Sequence, residues 1–179
     1  MTDLVIRQAA EDDADAMFAL IQAHLSEGHL LPRELHELRR HADRFLVAYL
    51  PFDFAQGGPG DGAQGGPGEL VGCAELAPLS ARVAEVRSLV VNRDVRGVGL
   101  ASRMVNEIRS AAKSRGYDTL CAFTHDARFF VRQNFSIVPH TWLPEKIATD
   151  CLNCPLFRKC EQHAMMLPLA EVPRYAAVA

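Results

Sequence analysis

Apolar positions along this chain alternate between a two-residue period and a helical one, and the changes of period mark out its elements. Leu4-Val5-Ile6-Arg7 is a short β-branched run that predicts a strand. Met17, Leu20, Ile21 and Leu25 then keep helical spacing, with Asp12 or Asp13 placed to cap the helix and Gly28 to end it. A second, more polar helix is expected from Arg33 to His41, with Pro32 suited to its N-terminal edge. Phe45-Leu46-Val47-Ala48-Tyr49-Leu50 reads as a strand and Leu70-Val71-Gly72-Cys73-Ala74-Glu75-Leu76 as its hairpin partner. Residues 84–91 form the next strand. Ala101, Met104, Val105, Ile108 and Ala112 line one stripe of a helix that Gly116 stops. A strand over 119–124 and a short helix over about 126–133 follow. Asn134, which tolerates left-handed geometry, ends that helix before a last strand at 135–138.

Between the two hairpin strands, 51–69 contains Ala-Gln-Gly-Gly-Pro-Gly twice, at 55–60 and 63–68. Such a repeat has almost nothing to bury, so it reads as an inserted surface loop, which costs little to lengthen. A ligand-gating role is the alternative.

The junction between the strand 84–91 and the helix after it carries the strongest chemical signal. Val90-Val91-Asn92-Arg93-Asp94-Val95-Arg96-Gly97-Val98-Gly99-Leu100-Ala101 runs from an apolar strand through a glycine-spaced turn into an amphipathic helix. That arrangement aims backbone N–H groups and a positive helix end at one point, a cradle for a diphosphate. The segment has no Lys-Ser/Thr of a P-loop, and glycines at 97 and 99 with none at 102 do not complete a dinucleotide fingerprint. Coenzyme A is the remaining common user.

Length and charge fit that reading. The 179 residues, 49% of them apolar, suffice for one domain with a small appendage: 1–142 as the domain and 143–179 as a cysteine-rich extension packed on it. The net charge of −3 is carried without a basic stripe, which argues against a nucleic-acid partner. No apolar run is long enough for a membrane span and the first residues do not resemble a signal peptide, so the expected setting is cytoplasmic with no membrane partner.

The element order, with Arg96-Gly97-Val98-Gly99 at the junction and Phe129-Phe130-Val131-Arg132-Gln133-Asn134-Phe135 farther on, resembles the GCN5-related N-acetyltransferase (GNAT) family over residues 4–140. The resemblance implies an α/β fold with a mixed, mostly antiparallel central sheet and flanking helices. It also implies acetyl-CoA as cosubstrate, a small-molecule amine as acceptor, and admits a homodimer. Leu89, Val90 and Val91 would meet the pantetheine arm and residues Arg96, Gly97, Val98, Gly99, Leu100 and Ala101 the diphosphate. Asp94 stands where the family motif usually has Gln or Arg, and Phe130 stands where many members place a tyrosine acid.

Gly28-His29-Leu30-Leu31-Pro32-Arg33, Gly72-Cys73-Ala74-Glu75-Leu76 and Leu143-Pro144-Glu145-Lys146 resemble the acetyltransferase domain of bacterial N-acetylglutamate synthases, above all their short stand-alone form. That likeness implies transfer of acetyl to the α-amine of an acidic amino acid, first of all L-glutamate, in arginine biosynthesis. Arg33, Arg87 and Lys146 are the candidate partners of its carboxylates, with Cys73 adding backbone contacts. Each has a plainer reading: a solvated helix for Arg33, a cross-strand pair with Glu85 or Glu75 for Arg87, an exposed lysine for Lys146. The synthase likeness leads to an Arg before the short helix where this chain has Thr124-His125-Asp126. His125, Glu75 and Glu85 are the candidate bases for the incoming amine. Acetylation of another small amine or of a protein N-terminus, and a non-catalytic acyl-CoA sensor, are the competing functions.

Cys151-x2-Cys154-x5-Cys160-x2-His163 supplies the ligand types of a Cys3His structural zinc site. Three reduced thiols packed under a C-terminal lid are the alternative.

Overall fold

A computed structural model describes residues 4–27, 30–51, 68–154, 156–157 and 159–170. Residues 52–67 of the expected loop, and Gly28, therefore lie outside the described residues. Contacts divide the chain into two compact units, Met1–Glu75 with Ser88–Val105, and Leu76–Arg87 with Asn106–Ala179.

The first unit begins with β1 (Val5–Gln8), followed by α1 (Ala14–His24), a 3-10 turn Leu25–Glu27 and α2 (Leu35–Arg40). The strands β2 (Phe45–Leu50) and β3 (Glu69–Pro78) pair antiparallel, and β1 adds to β2. α1 buries Met17, Leu20 and Ile21, the positions its period singled out, together with Leu38, Phe45, Val47 and Cys73. Close packing also fixes Gly72. A Cβ there would stand 3.1 Å from the Met104 sulfur and 3.3 Å from the Ala48 Cβ, tighter than side chains ordinarily pack.

From this unit the chain runs into β4 (Val83–Val91), whose last four residues return to it, and then into α3 (Leu100–Ser114). In the second unit β5 (Thr119–Thr124) lies parallel to β4 over Val83–Val86, the orientation that a crossover helix such as α3 permits. Then come α4 (Ala127–Arg132), β6 (Ser136–Val138), the single turn α5 (Pro144–Lys146), a π-helical turn Ile147–Cys151 and β7 (His163–Pro168). β7 pairs antiparallel with both β5 and β6. The strand order is β1-β2-β3-β4-β5-β7-β6, and of the pairings described only β4 with β5 is parallel. The expected mixed, mostly antiparallel sheet with flanking helices is what forms. Its seventh strand, drawn from the cysteine-rich tail, carries no separate signal in the hydrophobic pattern.

Two local expectations resolve differently. Asn134 does end α4 in the left-handed region, at φ 67. Asp13 stands at the N-terminal edge of α1 without capping it: its carboxylate accepts from Arg7 (2.7 and 2.8 Å), from Tyr49 Oη (2.6 Å) and from the Ala10 N–H (2.7 Å) instead. The second helix is shorter than expected, leaving Arg33 on the segment that leads into it.

Candidate functional site

In the first unit, the glycine-spaced turn has the geometry its sequence demands. Gly97 and Gly99 adopt φ 85 and 82, a region that disfavours any side chain, and nothing stands within 4 Å of where their Cβ atoms would be. The loop's outer face is open at both glycines. α3 starts at Leu100, and its first N–H groups have no partner within the helix. Such a terminus receives phosphate oxygens through hydrogen bonds and the helix dipole together.

The strand that leads into the turn is itself irregular. Ser88 has φ 48, a left-handed conformation rare for serine, and such a kink re-aims the backbone groups of the residues beside it. Its carbonyl accepts from Cys73 Sγ at 3.7 Å. Burial pushes the Cys73 thiol up to about 12, so at neutral pH it is a protonated, packed group rather than a nucleophile. Downstream, Arg96 Nε donates to the Val91 carbonyl at 3.0 Å, so this acceptor on the expected pantetheine strand is occupied from within the chain.

Arg33 and Glu75 meet in the same unit, Nη2 to Oε2 at 3.1 Å, with side chains 17% and 2% exposed. The contact is an ion pair without hydrogen-bond alignment. Arg33 Nε and Glu75 Oε2 are both buried and have no hydrogen-bond partner. A buried polar atom left without a partner is costly, and a bound ligand is one group that can supply the partner. The solvated-helix reading of Arg33 does not survive this burial.

The second unit holds a denser cluster. Glu85, 3% exposed, accepts from Arg87 Nε at 2.5 Å and from Lys146 Nζ at 2.9 and 2.8 Å. Asp150 accepts from Lys146 at 2.8 Å and also from Arg87. Lys146 Nζ lies 5.1 Å from the centre of the Phe123 ring, itself stacked on His140. Two cations thus face two carboxylates. Lys146 is a half-buried ion-pair partner rather than an exposed lysine, because α5 and the π-helical turn carry it and Asp150 one turn apart. Asp150 is the member that the motif reading did not single out; its i,i+4 spacing from Lys146 is the available signal.

The remaining expected residues are Phe130, His125 and the ligand types of the tail. Phe130 is buried, edge-on to Phe129 and Phe135 with centroids 5.1 and 5.2 Å away, and has no hydroxyl to offer as an acid. His125 is exposed on the bend after β5. Cys151, Cys154, Cys160 and His163 do not form the four-ligand site that their spacing suggests. Among the described residues no three His, Cys, Asp or Glu side chains are gathered to hold a metal. His163 belongs to β7, opposite Thr124, and Cys160 is exposed, its Sγ 3.8 Å from Gln162 Oε1. As placed, these residues do not fit a zinc ion.

A model of the acetyltransferase (GNAT) family matches residues 15–135. An uncharacterized N-acetyltransferase of Chlorobaculum tepidum is 27% identical over 167 residues, covering 93% of this chain and 97% of the relative. Among solved structures, N-acetylglutamate synthase of Neisseria gonorrhoeae, complexed with coenzyme A and N-acetyl-glutamate, superposes with a TM-score of 0.75 at 24% identity. That match covers 95% of this chain but only 36% of the synthase chain. Rv2747 of Mycobacterium tuberculosis, in complex with CoA, superposes with a TM-score of 0.70 at 21% identity over 93% of this chain and 99% of its own. At these identities the two structures speak to the fold.

Proposed function

Because the chain belongs to the acetyltransferase (GNAT) family and is an acyl-CoA-dependent N-acetyltransferase, we propose that it acetylates the α-amine of an acidic amino acid, L-glutamate first. The observation that carries this reading is the Arg33–Glu75 pair, in which buried Glu75 and partly buried Arg33 each keep one buried polar atom without a hydrogen-bond partner. An α-amino acid brings the complementary charges: its carboxylate fits a guanidinium and its ammonium a carboxylate. Arg87 and Lys146 of the second unit, held by Glu85 and Asp150, are the alternative partners for a substrate carboxylate.

In the proposed mechanism the turn from Arg96 to Ala101 takes the diphosphate on its N–H groups, and Leu89 to Val91 position the pantetheine arm. Glu75 accepts a proton from the bound ammonium. The freed lone pair then attacks the thioester carbon, and a backbone N–H of Leu89 to Val91 holds the developing oxyanion. The C–N bond forms first; the C–S bond then breaks as the nitrogen gives up its second proton and the departing thiolate takes up one, and the proton on Glu75 returns to solvent. Glu85 and His125 are the other candidate acceptors. Cytoplasmic arginine biosynthesis is the setting this reaction implies.

The test is an amine screen with acetyl-CoA, read by thiol release and by the N-acetyl product. Glutamate is the expected acceptor; if glutamate, glutamine and aspartate all leave acetyl-CoA intact, the substrate assignment is wrong. Arg33→Gln is expected to raise the KM for the amino acid about tenfold or more while leaving that for acetyl-CoA near its original value. Glu75→Gln is expected to lower kcat about a hundredfold. A non-catalytic acyl-CoA sensor, the reading that the missing tyrosine at Phe130 favours, would bind coenzyme and release no thiol.

A further inference from the structure

Two arginines stand just before the two glycines of the turn, and both are engaged by a single carboxylate of the same unit. Glu27 closes the 3-10 turn after α1. Its Oε1 accepts from Arg93 Nε at 2.7 Å, and both its oxygens lie 3.0 Å from Arg96 Nη2. The arginine side chains are about half exposed, at 56% and 46%. Behind them sits His24, buried, with Nδ1 bonded to the Leu20 carbonyl and Nε2 4.0 Å from Glu27 Oε1, without a hydrogen bond. Asp94, the other carboxylate of the turn, is exposed. The arginines lower the Glu27 pKa from its ordinary value, Arg93 first, so it is an anion at neutral pH.

Two guanidinium groups converging on one carboxylate leave one positive charge unmatched within the trio. A phosphate offers more acceptor oxygens and more charge than a carboxylate, and it matches guanidinium donors in the same planar way. Arg96 also directly precedes Gly97, the first open position of the turn. We propose that Glu27 occupies, in the free protein, the seat of a coenzyme phosphate on Arg93 and Arg96, and that the phosphate displaces it on binding. Glu27 is then an internal competitor for the coenzyme. The proposal rests on the coenzyme reading above, and it goes beyond it by assigning Arg93 and Glu27, which no motif marks.

The experiment is calorimetric titration of the full chain with CoA at low salt. Removing the competitor in Glu27→Gln is expected to tighten CoA binding about five- to tenfold, with the gain shrinking as salt rises. Glu27→Ala should move the same way. In an Arg93→Gln/Arg96→Gln background the gain should vanish and CoA should bind more weakly throughout. Dephospho-CoA separates the two phosphate sources. A gain kept with it assigns the seat to the diphosphate, and a gain lost assigns it to the 3′-phosphate. Unchanged or weaker CoA binding by Glu27→Gln overturns the proposal, because Glu27 would then be a positioning residue that orders the arginines. Absence of CoA binding by the unaltered chain removes the coenzyme reading itself, a distinct result.

Discussion

Asp13 illustrates what a residue's type leaves open. Its place before an apolar helical run marks it as a cap, yet in the fold it is spent on Arg7, Tyr49 and the Ala10 N–H. Burial by itself would raise its pKa, but these hydrogen bonds outweigh burial and hold it at about 2 against an ordinary 3.8. Tyr49 moves the other way, pushed up to about 12 by burial and by its bond to Asp13. Since the folded value of Asp13 lies below the unfolded one, its stabilisation is complete above about pH 4 and is lost as pH falls through 2. Asp13→Asn is therefore expected to cost about 2 kcal/mol at pH 7 and to flatten the acid limb of the stability curve, measured by urea unfolding from pH 7 to pH 2. The same limit applies at the candidate site. The sequence marks Glu75, Glu85, Arg33, Arg87 and Lys146 as chemistry-bearing, but pairing Arg33 with Glu75 and Lys146 with Glu85 requires contacts across 42 and 61 positions. No local pattern supplies those partners.

Elements were more legible than partners wherever the signal is local. The turn at Gly97 and Gly99 is the clearest case, because both glycines are required by positive φ and each leaves open the space that a Cβ would fill. Gly99→Ala is expected to strain the turn by about 1 kcal/mol and to weaken CoA binding about tenfold, read by titration, while thermal unfolding shifts by only a few degrees. Asn134 was legible for the same reason: asparagine is a residue type suited to φ 67. Ser88 was not, since serine has no preference for φ 48 and only the constraints on β4 hold it there. The zinc reading shows the converse. Correct ligand types at short spacing do not by themselves converge, and among the described residues no such group is gathered.

For the whole molecule, β7 is the decisive element. It pairs with β5 over six positions and with β6 over three, so the short β6 has its described partner only through β7. Met165, fully buried and opposite Ala122, sits at the middle of this arrangement. Met165→Asp is expected to destabilise the protein by about 3 kcal/mol or more, seen as a thermal midpoint lowered by roughly 10 °C, because a charge would be buried without a partner. Each unit is assembled from two stretches of chain, which hydrophobic period cannot announce. The sequence by itself determined the strands and helices up to residue 138, the glycine turn and the family, because each depends on neighbours within a few residues or on a short fixed spacing. Tertiary structure alone decided that the tail yields a strand and that buried carboxylates match the candidate cations. It alone also seated Glu27 on the arginines of the turn, since these outcomes depend on which distant segments burial brings together.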